Sequence, residues 1–173
     1  MKSYNLEEIN KELEDKSPKE IIEYAINLLG VDKITTASSL SIEDQMLTHL
    51  AVNINKDSRI FVLDTGRHFQ STYDVMDETW RKYGFKYEIY SPNTEVLQEF
   101  VRNYGPNTFY IDVENRKKCC GIRKVEPLKR ALSNVDAWIV GLRREQAVTR
   151  TAVPIVEWDQ GHGVLKFSPL AKL

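Results

Sequence analysis

Cysteine is scarce in this sequence, and long apolar runs are missing altogether. Only two of the 173 residues are cysteine, which excludes a small secreted scaffold held together by disulfides. No apolar stretch approaches the length of about 18 residues that a transmembrane helix requires. The opening segment, MKSYNLEEINKELEDKS, is charged throughout and does not resemble a secretory signal. These absences favour a cytoplasmic protein with no membrane partner.

Glycine-rich phosphate-binding loops and interdomain linkers are also lacking. The sequence contains neither the GxxxxGK[ST] pattern of P-loop proteins nor the GxGxxG pattern of dinucleotide-binding proteins. Its 8 glycines and 6 prolines are spread along the chain, which has no low-complexity tract or internal repeat. We therefore predict one nucleotide-binding domain over residues 1–173, with an N-terminal helical segment at 1–30 and an α/β core at 31–173.

The charge of the chain is nearly balanced but unevenly distributed. The net charge is −1, yet residues 116–150 carry +7 and the rest of the chain carries −8. A basic segment in an acidic protein favours a small anionic ligand over a nucleic acid, because nucleic acid usually requires a broad basic face. A solvated basic helix explains the same composition equally well, so composition alone leaves both interpretations open.

Patterns typical of strands and helices alternate along the chain. Ser17-Pro18 is typical of a helix start, and RIFVL at 59–63 is typical of a strand buried on both faces. The alternation predicts an α/β fold with a Rossmann-like, mostly parallel sheet flanked by helices. We predict strands at 33–37, 59–63, 86–90, 137–141, about 154–158 and 163–168, the last two as a hairpin. We predict helices at 17–29, from a cap at Ser41, at 69–83, 93–104 and 123–132, with a loop at 106–115.

Small, polar and basic residues follow three of the predicted parallel strands, in the segments 38–41, 64–69 and 141–146. Ligands of open α/β sheets bind at this carboxyl edge, where the strand order reverses. Ser38, Ser39 and Ser41 precede a helix, where backbone N–H groups and the helix dipole attract anions. Taken alone, the serines are better explained by ordinary helix capping.

Two further groups of residues at this edge have side chains that suit a ligand, but neither pattern is specific for one. Asp64, with Gly66 two residues later, either shapes a turn or holds a ribose or a metal. Arg143 and Arg144 suit a phosphate or a sulfate through bidentate hydrogen bonds. A basic surface turn paired with Glu145 is an equally good interpretation of the arginines.

The two cysteines, Cys119 and Cys120, are adjacent. Free cysteines are commonly small buried hydrophobes, and a reducing compartment makes a structural disulfide unlikely to form. Nearby cations, however, favour the thiolate, which is the form that reacts or binds metal. The cations flanking this pair are Arg116, Lys117, Lys118, Arg123 and Lys124.

Four strings together resemble the phosphoadenylyl-sulfate and adenylyl-sulfate reductases of assimilatory sulfate reduction. They are SSLSIEDQ, VLDTGRHFQSTY, KKCCGIRKVEPLKRAL and GLRREQAVTR, and the likeness runs in the same order from about residue 33 to residue 170. The resemblance implies an adenine nucleotide alpha-hydrolase-like fold. It also implies an enzyme that reduces adenylyl sulfate or phosphoadenylyl sulfate to sulfite and an adenosine phosphate, with thioredoxin or glutaredoxin as reductant.

The resemblance also implies roles for individual residues. The loop of Ser38, Ser39 and Ser41 corresponds to the loop that holds the phosphosulfate. The segment Leu63, Asp64, Thr65 and Gly66 corresponds to the turn beside the adenosine. Lys124, Arg143 and Arg144 correspond to basic residues around the substrate's anionic groups, with Lys124 stabilising charge in the reaction. Cys119 and Cys120 correspond to ligands of a [4Fe–4S] cluster in the adenylyl-sulfate branch, which favours adenylyl sulfate as the substrate or use of both.

The sequence departs from the family pattern at its end. Family members continue with a CxxC pair and a catalytic cysteine in a Cys-Gly-Leu-His setting, and neither occurs in these 173 residues. We therefore expect a truncated member that retains the nucleotide site, lacks the nucleophile and releases no sulfite. Since the cluster takes four thiolates, two cysteines should leave the purified chain colourless.

Two alternatives remain at this point. One is another adenylate-binding enzyme of the same fold, such as an ATP pyrophosphatase or an adenylyltransferase, although SSLSIEDQ lacks the glycines of their loop. The other is a nucleotide-binding or metal-binding module without catalysis. The sequence does not decide whether the chain forms a homo-oligomer.

Overall fold

The computed structural model describes residues 4–143 and 153–173. The helices are α1 (Leu6–Leu13), α2 (Pro18–Leu29), α3 (Ile42–Ile54), α4 (Gln70–Tyr83), α5 (Thr94–Tyr104), α6 (Val113–Cys120) and α7 (Glu126–Leu132). The strands are β1 (Ile34–Ala37), β2 (Arg59–Leu63), β3 (Glu88–Tyr90), β4 (Ala137–Ile139), β5 (Val156–Asp159) and β6 (Val164–Phe167). Two 3-10 turns lie at Val31–Lys33 and Thr108–Tyr110, and a π-helical turn lies at Gly121–Val125. None of the described helices is both long and apolar enough to cross a membrane.

The strands form one mostly parallel sheet in the order β3-β2-β1-β4-β6-β5. Every neighbouring pair is parallel except β5 and β6, which form the predicted hairpin. In β1, Thr36 is paired with Ile60 of β2 on one side and with Ile139 of β4 on the other. The predicted α/β class is confirmed. Because β2 and β3 extend the sheet to one side of β1 and β4 begins the other side, the strand order reverses between β1 and β4.

The sheet is covered by apolar side chains on both faces. The N-terminal helices share the larger core with the sheet, since Ile9 of α1 and Ile22 of α2 cluster with Leu165 of β6. A second cluster, on Phe61 of β2, packs under α7. Buried members of that second cluster are Phe61, Ala131, Leu132, Val135 and Val164.

The start of α2 follows from its sequence. Ser17 is the N-cap, its side chain accepts a hydrogen bond from the Glu20 N–H, and the Glu20 carboxylate accepts one from the Ser17 N–H in return. Hydrogen bonds from the Ser17 backbone and hydroxyl lower the pKa of Glu20 to about 2. Pro18 occupies the first helical position, where its missing N–H costs nothing. The predicted helix at 17–29 is therefore confirmed, and it ends at Gly30 with a φ of 93°.

Several predicted boundaries are wrong. The strand predicted at 33–37 begins at Ile34, because Lys33 lies in a 3-10 turn, and the strands predicted at 86–90 and 137–141 shorten to three residues each. A larger error concerns 106–132, where a loop followed by a helix at 123–132 was expected. The helical run begins instead at Val113, and Asp112 caps it by accepting a hydrogen bond from the Asn115 N–H.

The π-helical turn interrupts this helical run between α6 and α7. The Glu126 N–H donates to the Gly121 carbonyl, five residues earlier, and Pro127 has no N–H to donate to the Arg123 carbonyl four residues earlier. The turn therefore widens where the α-helical hydrogen bond cannot form. Single π-helical turns of this kind occur frequently at functional sites.

The free edge of β5 is closed by a side chain of α1. The Asn10 amide donates to the Val156 carbonyl at 2.7 Å, and its oxygen accepts from the Val156 N–H at 3.0 Å. Replacing Asn10 with alanine leaves both backbone groups without these partners, so we expect Asn10→Ala to lower the free energy of unfolding by about 1–3 kcal/mol. Urea denaturation measures this change.

Asn53 of α3 provides the matched control, because its amide is exposed and contacts only His49 of the same helix. Asn53→Ala should change the free energy of unfolding by no more than about 0.5 kcal/mol. Equal effects of the two substitutions would contradict the role assigned to Asn10.

Candidate functional site

A cavity of about 400 Å³ opens at the carboxyl edge of the sheet, beside the point where the strand order reverses. Its walls come from the segments that follow β1, β2 and β4, together with the first turn of α3 and one face of α7. The described residues that line it are Ala37, Ser38, Ser39, Ser41, Glu43, Asp44, Phe61, Val62, Leu63, Thr65, His68, Lys124, Leu128, Trp138, Val140, Gly141 and Leu142. The three segments predicted from the sequence therefore meet in one place.

The serine loop, residues 38–41, is held by hydrogen bonds within the protein. The Ser38 hydroxyl accepts from the Leu40 N–H at 3.2 Å, and Leu40 has a φ of 64°, which is rare for a residue with a side chain. The Ser39 N–H and hydroxyl both donate to one oxygen of Asp44, at 2.7 and 2.5 Å. Ser41 is the N-cap of α3, as predicted, but among the described residues its side chain makes no capping hydrogen bond. It lines the cavity instead.

The turn after β2 is shaped by Asp64. Its carboxylate accepts hydrogen bonds from the Gly66 N–H and the Tyr73 hydroxyl, each at 2.9 Å. The hydrogen bond to Asp64 raises the pKa of Tyr73. Gly66 has a φ of 68°, a conformation that favours glycine. Asp64 and Gly66 therefore build the turn, whereas Leu63 and Thr65 line the cavity directly.

The predicted basic residues are placed differently from one another. Lys124 lines the cavity from the π-helical turn. Arg143 is not among the lining residues, because its guanidinium pairs with Glu43 at the rim, at 3.0 Å. Arg144 lies outside the described residues.

A buried arginine that the sequence did not single out for the nucleotide site supports the turn. The side chain of Arg123 donates to the Thr65 carbonyl at 2.5 Å, and the residue is only 8% exposed. A Cβ at Gly66 would stand 3.4 Å from the same guanidinium, so the turn packs closely on it. The sequence showed Arg123 as one of five cations near the cysteines, and no local pattern distinguishes it from the other four.

A second cavity, of about 590 Å³, adjoins the first and contains both cysteines. Thr65 and Lys124 line both cavities. Cys119 is buried and Cys120 is exposed, and they end α6, a helix that was not predicted from the sequence. The residues lining this cavity are Thr65, Arg67, Phe69, Phe109, Tyr110, Arg116, Cys119, Cys120, Arg123 and Lys124.

The charges that line the cysteine cavity are all positive. Four of its lining residues are Arg or Lys, and none of them is Asp or Glu. Arg67 stacks over the Phe109 ring at 4.6 Å and donates to the Pro106 carbonyl, which fixes the wall of the cavity. Of the five cations that the sequence places near the thiols, Arg116, Arg123 and Lys124 line this cavity, whereas Lys117 and Lys118 do not. Among the described residues, no three His, Cys, Asp or Glu side chains are grouped to hold a metal ion.

The first cavity also has an apolar wall and an acidic rim that the sequence analysis missed. Phe61, Leu128 and Trp138 belong to its apolar part. In the sequence, Phe61 and Trp138 look like ordinary strand residues, so only the folded sheet shows that they line the cavity. Glu43 and Asp44 read as ordinary acids at a helix start, which the helix dipole favours.

The chain was compared with known proteins. Residues 33–173 match the family model described as the phosphoadenosine phosphosulfate reductase domain. The adenosine 5'-phosphosulfate reductase of Burkholderia cepacia is 44% identical over 140 residues, which cover 81% of this chain and 56% of that protein. The chain thus spans little more than half the length of this relative.

Solved structures support the fold. The phosphoadenylyl-sulfate reductase of Candida auris, solved as a phosphate complex, superimposes with a TM-score of 0.84 over 100% of this chain and 82% of that one, at 24% identity. The FMN adenylyltransferase of Candida glabrata in complex with ATP has a TM-score of 0.60 at 12% identity, over 91% of this chain and 49% of that one. The similarity to the adenylyltransferase extends to the fold alone, whereas the family model covers most of the sequence. The chain therefore belongs to the phosphoadenosine phosphosulfate reductase domain family.

Proposed function

We propose that this chain binds adenylyl sulfate for reduction to sulfite and adenosine monophosphate in cytoplasmic sulfate assimilation. The observation that carries the proposal is the cavity at the carboxyl edge, which is lined by apolar side chains together with a serine loop, a helix start and Lys124. An adenosine phosphate has the same division between an apolar base and an anionic end. The names of relatives at 44% identity support the choice of reaction.

The two parts of the cavity receive the two parts of the nucleotide. The base packs against Leu128 and Trp138, which in turn pack on the buried Phe61 cluster. The phosphosulfate lies at the serine loop, where the first N–H groups of α3 have no acceptor within the helix. Lys124 faces the same space and neutralises negative charge as the sulfur–oxygen bond breaks.

The reaction we propose is a thiolate attack on the sulfonyl sulfur. A sulfur–sulfur bond forms, the bond to the phosphate oxygen breaks, and adenosine monophosphate leaves with the electron pair. A thiol of thioredoxin or glutaredoxin then attacks the cysteine sulfur, sulfite leaves, and a second thiol of the reductant resolves the mixed disulfide. We assign the attacking thiol to a residue outside these 173, because both cysteines present belong to the neighbouring cavity.

The names of the matched relatives support adenylyl sulfate over phosphoadenylyl sulfate. Two relatives, at 44% and 43% identity, are named adenosine 5'-phosphosulfate reductase. Cys119 and Cys120 also support adenylyl sulfate, because the family resemblance assigns such a pair to the adenylyl-sulfate branch. We therefore propose adenylyl sulfate as the preferred substrate.

The cysteine cavity fits a [4Fe–4S] cluster in part. Cys119 and Cys120 would supply two of the four thiolates, and the lining cations would offset the cluster's negative charge. Two further ligands are needed for the complete set, so no step of the reaction is assigned to the cluster.

Lys124→Ala tests the proposed binding mode. We expect this substitution to weaken adenosine monophosphate binding about tenfold and to leave adenosine binding unchanged, since only the nucleotide carries a charge for the ammonium. Isothermal titration of both ligands measures the difference.

Lys129→Ala is the matched control, because Lys129 is exposed on α7 and lines neither cavity. It should bind both ligands as the unsubstituted protein does. If the folded, unsubstituted chain binds neither ligand, the proposed nucleotide site is wrong. Equal weakening by both substitutions would show that Lys124 acts only through the overall charge.

A further inference from the structure

Two adjacent carboxylates in the first turn of α3 contact two different segments at the nucleotide cavity. Asp44 accepts two hydrogen bonds from Ser39 in the serine loop. Glu43 pairs with Arg143, which follows β4, at 3.0 Å. The start of α3 therefore connects the serine loop, after β1, with the segment after β4, at the point where the strand order reverses.

The segment after β4 is packed directly on this helix turn. A Cβ placed at Gly141 would stand 2.4 Å from an oxygen of Asp44 and 3.2 Å from the Cβ of Glu43. This close approach holds Arg143 near the cavity, since its neighbours Gly141 and Leu142 are lining residues. Among the described residues, the Arg143 side chain forms an ion pair with Glu43, which gives the guanidinium its direction.

We infer that Glu43 competes with a bound nucleotide for Arg143: it holds the Arg143 guanidinium in the free protein and yields it to the anionic group of the nucleotide. The inference rests on the proposed nucleotide site. One guanidinium nitrogen of Arg143 pairs with one Glu43 oxygen, and the Arg143 Nε is buried with no hydrogen-bond partner among the described residues. A phosphate accepts bidentate hydrogen bonds from a guanidinium, so it can use donors that Glu43 leaves unused. The pair is also partly open to solvent, with side-chain exposures of 36% for Arg143 and 16% for Glu43, and partly exposed pairs are weak.

If Arg143 passes from Glu43 to the nucleotide, removing the charge of Glu43 should increase the affinity for the nucleotide. Breaking the pair before the ligand binds removes a competitor for Arg143, so Glu43→Gln should tighten adenosine monophosphate binding about two- to fivefold. Adenosine carries no charge for the guanidinium, and its affinity should stay the same. Glu43→Asp keeps the charge but shortens the side chain, so it should also tighten binding of the monophosphate.

Simple repulsion between Glu43 and the ligand is the competing explanation, and a double substitution separates the two. If Glu43 acts through Arg143, Glu43→Gln should have no effect on adenosine monophosphate affinity in an Arg143→Ala background. If Glu43 only repels the ligand, the gain should persist without Arg143, and Glu43→Asp should produce none. Titration calorimetry on all four proteins of the cycle gives the coupling.

Glu95→Gln is the matched control, since Glu95 is the second residue of α5 as Glu43 is of α3, and it is exposed outside both cavities. It should leave both affinities unchanged, and urea denaturation checks that every variant is folded. An unchanged or weaker monophosphate affinity in Glu43→Gln would overturn the inference alone. Failure of the unsubstituted chain to bind the monophosphate would overturn the proposed site and the inference together.

Discussion

Gly141→Ala is expected to abolish most nucleotide binding while the chain remains folded. The new methyl group would overlap the Asp44 carboxylate, whose oxygen stands 2.4 Å from the required Cβ position. Asp44 is buried and bonded to Ser39, so it cannot move without releasing the serine loop. We expect adenosine monophosphate affinity to fall about tenfold or more, and the free energy of unfolding to fall by about 1–3 kcal/mol.

Gly121→Ala provides the control for the change from glycine to alanine. Gly121 has helical dihedral angles, φ −53° and ψ −50°, and its added Cβ would meet nothing within 4 Å among the described residues. That substitution should be neutral or stabilising by up to about 1 kcal/mol, because alanine favours helices. Calorimetry and urea denaturation on both variants make the comparison. Unchanged affinity in Gly141→Ala would show that the Asp44 contact does not hold the loop.

The sheet could be predicted because its signals are local. RIFVL is apolar at every position after its arginine, and it is the strand β2. The turn at 160–163 separates two short apolar runs, and those runs pair as the antiparallel β5 and β6. Ser17 and Pro18 begin a helix through bonds to residues within one turn. In each case the deciding interactions lie within a few residues, where sequence patterns are reliable.

The helices that were missed depend on contacts made elsewhere in the chain. The opening segment is so charged that α1 was not predicted in detail, yet Ile9 and Leu13 are buried against the sheet and Asn10 closes β5. The helical run from Val113 begins with mostly exposed residues and has too few apolar residues to show a helical period. Arg123, which bonds to the Thr65 carbonyl 58 positions away, shows how such contacts escape local patterns.

The candidate site, too, was predictable where its signals are local and unpredictable where they are not. The serine loop, Leu63, Thr65 and Lys124 were predicted to surround the ligand, and the structure places all of them around one cavity. The partner of Arg143 could not be predicted, because Glu43 is 100 positions away and looks like an ordinary helix-start acid. The roles assigned to these residues remain predictions until binding is measured.

Phe61→Ala should produce the largest loss of stability among these substitutions. The Phe61 side chain is 1% exposed, packs under α7 and contacts the Tyr90 ring edge-on at a centroid distance of 6.1 Å. Truncating a buried phenylalanine to alanine costs about 3–5 kcal/mol, since the neighbours cannot fill the space. Urea denaturation should show a loss of this size. Because Leu128 and Trp138 pack against the Phe61 cluster and line the nucleotide cavity, the variant should lose adenosine as well as the monophosphate.

Phe61→Leu separates the contribution to binding from the contribution to stability. Leucine keeps most of the volume, so this variant should fold with a loss below about 1.5 kcal/mol. It should bind adenosine and the monophosphate more weakly by the same factor, because the base is common to both. Phe100→Leu is the control: Phe100 is also buried, on α5, but lines neither cavity, so it should lose stability without losing affinity. A weakening confined to the monophosphate in Phe61→Leu would place the phosphate, rather than the base, against this wall.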